Sequence, residues 1–525
     1  MRLRQHKHIG IFLFVLIVAL LSRFYGLDRL SLWADELWVV IASVTGSLTD
    51  MISAVYYHDN HPPGYYVLVR YTQFILGSSD FAIRLPSALA GTALVAATYA
   101  VGKKMFTAKA GVFAAALVAG SYQAIYYSQE ARPNIFMALF ALLAFYYFCI
   151  ILLADERTYK NYFLFWMSAA CCSYFHYAGL VFCACLGLVC LALVVFKRNR
   201  EDFISGLKLF LPVVVLYLPW ALGTLRHLVA TPVTGWQRPP DMNTLKTTFQ
   251  FLFGPDAIRI IFYQIIFSVS MLMVFISATG LLKNKNNTFV SEDRQPIVLS
   301  ALAMILLPVG VFYIKSIFSQ DAYNHRHFLY AIPLLALLAG YYFDEIIRRF
   351  AEAWQGKILV IVVIMIILYQ LSANNSRNLY TANHFKQEFR EAALVVANDM
   401  SVSKSAPDGR ISAMVVSNTP FFDHYLNRFT NAQYKSEFIY DWDQKLPALQ
   451  AMLAERHVAA FYYLEAPIMP GANNMITAED LALMHIYQPL CRTRFSRAQV
   501  FKFSALDKPS STDVALLLDC RTEAK

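Results

Sequence analysis

The chain has 525 residues, of which 58% are hydrophobic and only 15% charged, and its formal net charge is +10 at pH 7. Soluble globular domains carry about a quarter of charged residues, so this composition excludes a soluble protein and points to a membrane. The positive excess shows none of the basic–aromatic interleaving of a nucleic-acid binder, and it belongs with the cytoplasmic loops of a membrane protein.

The N-terminus, MRLRQHKH, is basic, and an apolar run follows over residues 9–21. No small-x-small cleavage site comes after it, so it predicts a first transmembrane helix with its N-terminus inside, closed by Arg23 and Tyr25 as anchors. Further apolar runs predict spans at 83–101, 110–127, 133–153, 162–177, 180–196, 207–222, 257–282, 296–314, 328–347 and 358–371. With the first helix they make roughly eleven, each near the length of ~20 residues that crossing a bilayer requires.

The stretch PPGYYVLVRYTQFILG, residues 62–77, has two readings, and charge separates them. If it lies flat, the loops with Lys103/Lys104/Lys109, Arg157/Lys160, Lys197/Arg198/Arg200, Lys283/Lys285 and Arg348/Arg349 share the side of the basic N-terminus. That side is then the cytoplasm by the positive-inside rule. If it spans, those loops move outside. Arg70 in mid-segment also favours the flat reading, because a charge at the bilayer centre is costly. An external loop therefore covers 24–79, with interfacial helices near 34–42 and 65–75 and Trp33, Trp38, Tyr65 and Tyr66 at headgroup level.

Beyond residue 371 the pattern turns polar and then amphipathic, with short apolar runs at 411–416, 459–464 and 499–503. That alternation predicts a soluble α/β domain, and an odd number of spans places it outside. The division expected is a transmembrane domain over 1–372 and an extracytoplasmic domain over 373–525. Of the eight cysteines, Cys149, Cys171, Cys172, Cys183, Cys185 and Cys190 lie in apolar runs and read as packing residues. Cys491 and Cys520 have the opportunity to pair if their domain is outside.

On this topology the unusual polar residues collect on the outer face. They are Asp35 and Glu36 in SLWADELW, His58, Asp59 and His61 in HDNHPPGYY, Arg84 in FAIRLPSALAG, Glu130 and Arg132 in YYSQEARPN, His176 in YFHYAG, and Lys315, Asp321, His325, Arg326 and His327 in KSIFSQDAYNHRHF. Ionisable groups from separate segments are tolerated at a membrane face when they gather around a polar site. Acids supply a general base. Arg, Lys and His supply a phosphate site, and Tyr-rich apolar walls suit a lipid tail. Each has a plainer structural reading. Asp35 caps a helix, His61-Pro62-Pro63 starts one, Arg84 snorkels to headgroups, Glu130 and Arg132 pair, and His176 caps or packs. Asp423 and His424 read as surface.

LWADE after the first span, HPPGYYVLVR, DFAIRLPSALAG, YYSQEARPN and, more weakly, NHRHFLYAIPLLAL together resemble the GT-C glycosyltransferases. The type is that of bacterial family 39 membrane proteins, which includes protein O-mannosyltransferases and lipid A aminoarabinose transferases. The ordered motifs cover about the first 135 residues, and the topology covers nearly all of the chain. The resemblance implies a polytopic all-α bundle of about 11–13 transmembrane helices with a C-terminal extracytoplasmic α/β domain, in a bacterial inner membrane. It implies a polyprenyl-phosphate-linked sugar as donor and an acceptor lipid, glycan or protein, with inversion in a single displacement. Asp35 then matches the catalytic base, with Glu36 in support. His61, Arg84, Glu130, Arg132 and Arg326 serve the donor and its phosphate. The resemblance requires no cofactor, although it leaves room for a divalent cation, for which Asp35, Glu36, His58 and His61 have the donor atoms. A flippase or carrier fits less well, because the predicted spans lack mid-membrane charges. An external ligase moving a whole lipid-linked glycan fits the early Asp-Glu pair and the His-Pro-Pro turn less well than a monosaccharide transferase does. A non-catalytic receptor leaves the crowded outer face without a purpose.

Overall fold

The computed structural model describes residues 2–59, 61–230, 240–253, 294–318, 323–350, 387–402, 413–417, 419–429, 434–438, 460–466, 487–495 and 497–505. The predicted spans 257–282 and 358–371 lie outside them. Two compact units emerge. One comprises Met1–Leu27 and Ala42–Leu379, and the other Asp28–Ile41 and Tyr380–Lys525.

The first unit is helical. Its elements are α1 (Arg2–Phe24), α3 (Leu48–His58), α4 (Gly64–Leu76), α5 (Asp80–Met105), α6 (Ala108–Gly120), α7 (Tyr122–Ser128), α8 (Asn134–Leu152), α9 (Tyr159–Phe175), α10 (Tyr177–Lys197), α11 (Arg200–Ala230), α12 (Met242–Phe253), α13 (Gln295–Phe318), a 3-10 turn (His325–Phe328) and α14 (Ala331–Phe350). Among the described residues, five helices are long and apolar enough to cross a membrane, and the bent pair α6–α7 makes a sixth. This is a multi-pass membrane protein. The apolar part of α1, His8–Phe24, is shorter. The stretch 24–79 holds three helices rather than two, since α3 forms with a Ser47–Asp50 capping box. α4 is a separate helix of 13 residues.

The core is built from small residues at helix crossings. A Cβ on Gly102 would stand 2.7 Å from the Gly111 Cα, so α5 and α6 touch backbone to backbone. α6 and α7 are bent by 63°. Arg23 explains how the break is tolerated. It is 0% exposed, and it donates to the terminal α6 carbonyls of Val118 (3.1 Å) and Ala119 (3.3 Å). A cation there also meets the negative end of the helix dipole. Arg23, predicted to close the first span, is a buried cap of α6. Ser121 caps the start of α7 through the Ala124 amide, and Gln129 donates to the carbonyls of Ser22 and Tyr25 beyond it.

Charged groups tie together one end of this bundle. Lys104 pairs with Glu156 at 2.7 Å, and Lys109 lies 3.9 Å from Asp344. Arg157 meets Glu201 and Asp202. The loops predicted to be cytoplasmic thus meet one another.

In the second unit, α2 (Ala34–Ser43) begins beside α15 (Phe389–Val402) and α16 (Phe421–Phe429). A five-stranded sheet in the order β2-β1-β3-β5-β4 completes it. The strands are β1 (Ala413–Ser417), β2 (Tyr434–Phe438), β3 (Ala460–Glu465), β4 (Tyr487–Arg494) and β5 (Gln499–Ala505). β1 runs parallel to β2 and β3, and β5 runs antiparallel to β3 and β4. β1 and β3 are central strands with consecutive buried residues (Met414–Val416, Phe461–Leu464), as expected of strands covered on both faces. The C-terminal α/β expectation is met. Cys491 is disulfide-bonded, while Cys520 lies outside the described residues. The six apolar-run cysteines are free.

Candidate active site

At the end of the helical unit away from those charged loops, polar residues from four segments converge. The first is the turn between α3 and α4. Asp59 ends α3, and Pro62 and Pro63 fix the entry to α4 with no N–H to lose. Gly64 follows. A Cβ there would sit 2.7 Å from the Tyr174 carbonyl oxygen, so only glycine lets this turn press against the end of α9. Tyr65 fastens α4 to α5 through Ser87 at 3.2 Å.

That contact brings His61 to the α9–α10 turn. Asp59 accepts from the Tyr66 hydroxyl at 2.6 Å and from His61 Nδ1 at 3.0 Å. Arg132 Nη2 donates to His61 Nε2 at 3.4 Å. Both ring contacts assign the proton to Nδ1 and make His61 a neutral acceptor toward Arg132. Burial lowers the His61 pKa below the ordinary histidine value; the Asp59 bond opposes this and the charges of Arg132 and Arg326 add to it.

His176 is the N-cap of α10, and its Nδ1 accepts from the Ala178 amide at 3.0 Å. Its ring stands edge-on to His61 with centroids 5.1 Å apart, and 5.2 Å from the ring of His327. Burial pushes its pKa well down, with His61, His327, Arg326 and Arg132 adding in that order. The 3-10 turn carrying Arg326 and His327 is held from α12, where Thr248 bonds Tyr323 (2.7 Å) and His325 (3.0 Å).

Three helices start at this cluster. α4 begins just after His61, α8 follows Arg132 and Pro133, and α10 begins at His176. Their positive N-terminal ends add to two guanidinium groups, so the site attracts an anion. Among the described residues no group of three or more His, Cys, Asp and Glu is arranged to hold a metal ion. The side chain of His58 and residue Asp321 lie outside the described residues.

The structure brings His61, Arg132 and Arg326 together with His176, His327 and Asp59. Glu130 is buried and bonds Tyr126. Arg84 is buried on α5 and donates to the Leu27 carbonyl at 3.0 Å. Asp59 is the residue that sequence reasoning underused: an acid two positions before a His-Pro-Pro turn is its local signal.

Asp35 and Glu36 belong to the second unit. Glu36 is 0% exposed, and its carboxylate accepts from the Trp33 amide at 3.2 Å. The helix start is thus capped by Glu36 reaching back, not by Asp35. Asp35 is half-buried. Their segment is clamped within its unit. The Tyr425 hydroxyl accepts from the Leu32 amide at 2.8 Å, and Gln387 accepts from the Ala34 amide at 3.3 Å. Arg390 donates to the carbonyls of Asp28 and Arg29, each at 2.6 Å.

Among solved structures, ArnT from Cupriavidus metallidurans bound to undecaprenyl phosphate aligns over 96% of this chain and 99% of its own, with a TM-score of 0.55 and 13% identity. The chain has the GT-C fold. The apo form of the same ArnT aligns over 94% of this GT-C chain with a TM-score of 0.54 and 13% identity. The archaeal oligosaccharyltransferase AglB from Archaeoglobus fulgidus aligns over 88% of it and 70% of its own length, with a TM-score of 0.50 and 10% identity. The family model of the dolichyl-phosphate-mannose-protein mannosyltransferases matches residues 60–222 of the GT-C chain, the stretch that contains His61, Arg84, Glu130, Arg132 and His176. No curated protein matches its sequence.

Proposed function

We propose that this chain is a membrane glycosyltransferase that moves a sugar from a polyprenyl-phosphate donor to an acceptor hydroxyl at the extracytoplasmic face. The observation that carries the proposal is the anion-seeking cluster of His61, Arg132, Arg326 and the three helix N-termini, set at one end of a GT-C bundle. The likeness to an ArnT bound to undecaprenyl phosphate supports a lipid-linked phosphate as its ligand. The oxidised state of Cys491 supports an extracytoplasmic C-terminal domain.

In the proposed reaction Asp35 removes the acceptor hydroxyl proton and the oxygen attacks the anomeric carbon. The bond from that carbon to the phosphate oxygen breaks, and the configuration inverts. The lipid phosphate leaves with its charge held by Arg132, Arg326 and the helix ends. Glu36 fixes the helix start that presents Asp35. Glu130 lines the site with Arg132, and Arg84 holds the Leu27 carbonyl. Transfer from a polyprenyl-phosphate sugar by the full chain in lipid vesicles tests the proposal. Asp35→Asn is expected to abolish transfer while leaving binding of a polyprenyl phosphate intact. Undiminished transfer by that variant would remove Asp35 as the base.

A further inference from the structure

The capping role of His176 accounts for only half of its imidazole. Nδ1 accepts from the Ala178 amide, which places the ring proton on Nε2. That nitrogen is buried and has no hydrogen-bond partner among the described residues, in a side chain only 4% exposed. A buried donor left without a partner is costly, and its retention asks for a use.

The surroundings say what kind of partner suits it. His61 and His327 flank the ring, and Arg132 and Arg326 act on it electrostatically. The carboxylate of the cluster, Asp59, is engaged by Tyr66 and His61, and Glu130 bonds Tyr126. Two guanidiniums and the N-terminus of α10 repel a cation, so a metal ion does not fit. An anion with several acceptor oxygens does.

We propose that His176 is a substrate-contacting residue whose Nε2–H donates to a phosphoryl oxygen of a phosphate ester seated beside Arg132 and Arg326. This rests on the lipid-phosphate reading above and adds a neutral donor to it. His176 contributes a directed hydrogen bond, while the arginines contribute charge. No bond is made or broken at the imidazole. It holds the phosphate in the donor and continues to hold it as it leaves.

Two substitutions separate the donor from the cap. In His176→Asn the amide oxygen stays within reach of the Ala178 amide, so the cap is kept and the Nε2 donor is lost. In His176→Gln the longer amide carries an N–H to the Nε2 position. The purified full-length chain in nanodiscs is titrated with a short-chain polyprenyl phosphate and, separately, with inorganic phosphate. H176N is expected to weaken polyprenyl-phosphate binding about tenfold or more with an unchanged melting temperature, and H176Q to stay within about threefold of wild type. Inorganic phosphate is expected to compete weakly with the lipid in wild type and more weakly still in H176N. Wild-type affinity in H176N overturns the inference, as does equal weakening in both variants that tracks a fall in melting temperature. Inorganic phosphate binding as tightly as the lipid makes the free anion the ligand and overturns the ester. If the wild-type chain fails to bind polyprenyl phosphate at all, the glycosyltransferase reading itself falls.

Discussion

Gly64→Ala places a methyl group where the structure has none to spare. The added Cβ would stand 2.7 Å from the Tyr174 carbonyl oxygen and 3.0 Å from its carbon, both backbone atoms of α9. Restoring an ordinary 3.4 Å contact moves the turn by about 0.7 Å, because a helix backbone yields little. The Arg132–His61 bond is already 3.4 Å long, so a shift of that size away from Arg132 breaks it. Overpacking of this kind costs about 1–3 kcal/mol, and a lost hydrogen bond to a charged group about 1.5–3 kcal/mol. The two overlap, so the expected stability loss is about 1–3 kcal/mol. Transfer per folded molecule should fall roughly ten- to hundredfold, at about 1.4 kcal/mol per factor of ten. Thermal unfolding and the vesicle transfer assay read the two effects separately. Wild-type values in both assays refute the close-approach argument. A stability loss with undiminished transfer shows that Gly64 packs the turn without setting the site.

Asp59→Asn should reduce transfer about tenfold with little loss of fold, because both bonds lose the charge of the carboxylate and the amide nitrogen cannot accept the second of them; unchanged transfer contradicts the Tyr66–Asp59–His61 chain. Acidification should destabilise the protein. His61 and His176 have folded pKa values below the ordinary 6.5, so below about pH 6.5 the unfolded chain takes up protons first and stability is lost, by at most about 1.4 kcal/mol per pH unit for each histidine. A melting temperature that rises between pH 7 and pH 5.5 contradicts this. Tyr425→Phe should leave the Leu32 amide without its partner and raise its hydrogen exchange, with a stability loss of about 1–2 kcal/mol; an unchanged exchange rate at Leu32 removes the clamp.

Much of the helical unit is legible because a bilayer demands long apolar runs and segregates basic loops. The same charge rule is what predicts the gathering of His61, Arg132 and Arg326 at one end. What the sequence hides is partnership across long separations. Arg23 reads as the residue that closes the first span, yet it is spent on carbonyls about a hundred residues away. His176 is visible as a cap because capping is local, whereas the rings packed against it come from positions 61 and 327. The grouping of Asp28–Ile41 with the C-terminal unit depends on Gln387, Arg390 and Tyr425, and no local pattern near Asp35 announces them.

Equilibrium binding of a polyprenyl-phosphate sugar to the purified chain, with Arg326→Gln and Arg132→Gln as the paired comparisons, tests the anion cluster most directly. The expected result is saturable wild-type binding, reduced at least about tenfold in each variant and further weakened by salt. Equal affinity in all three proteins at matched folding would contradict the account.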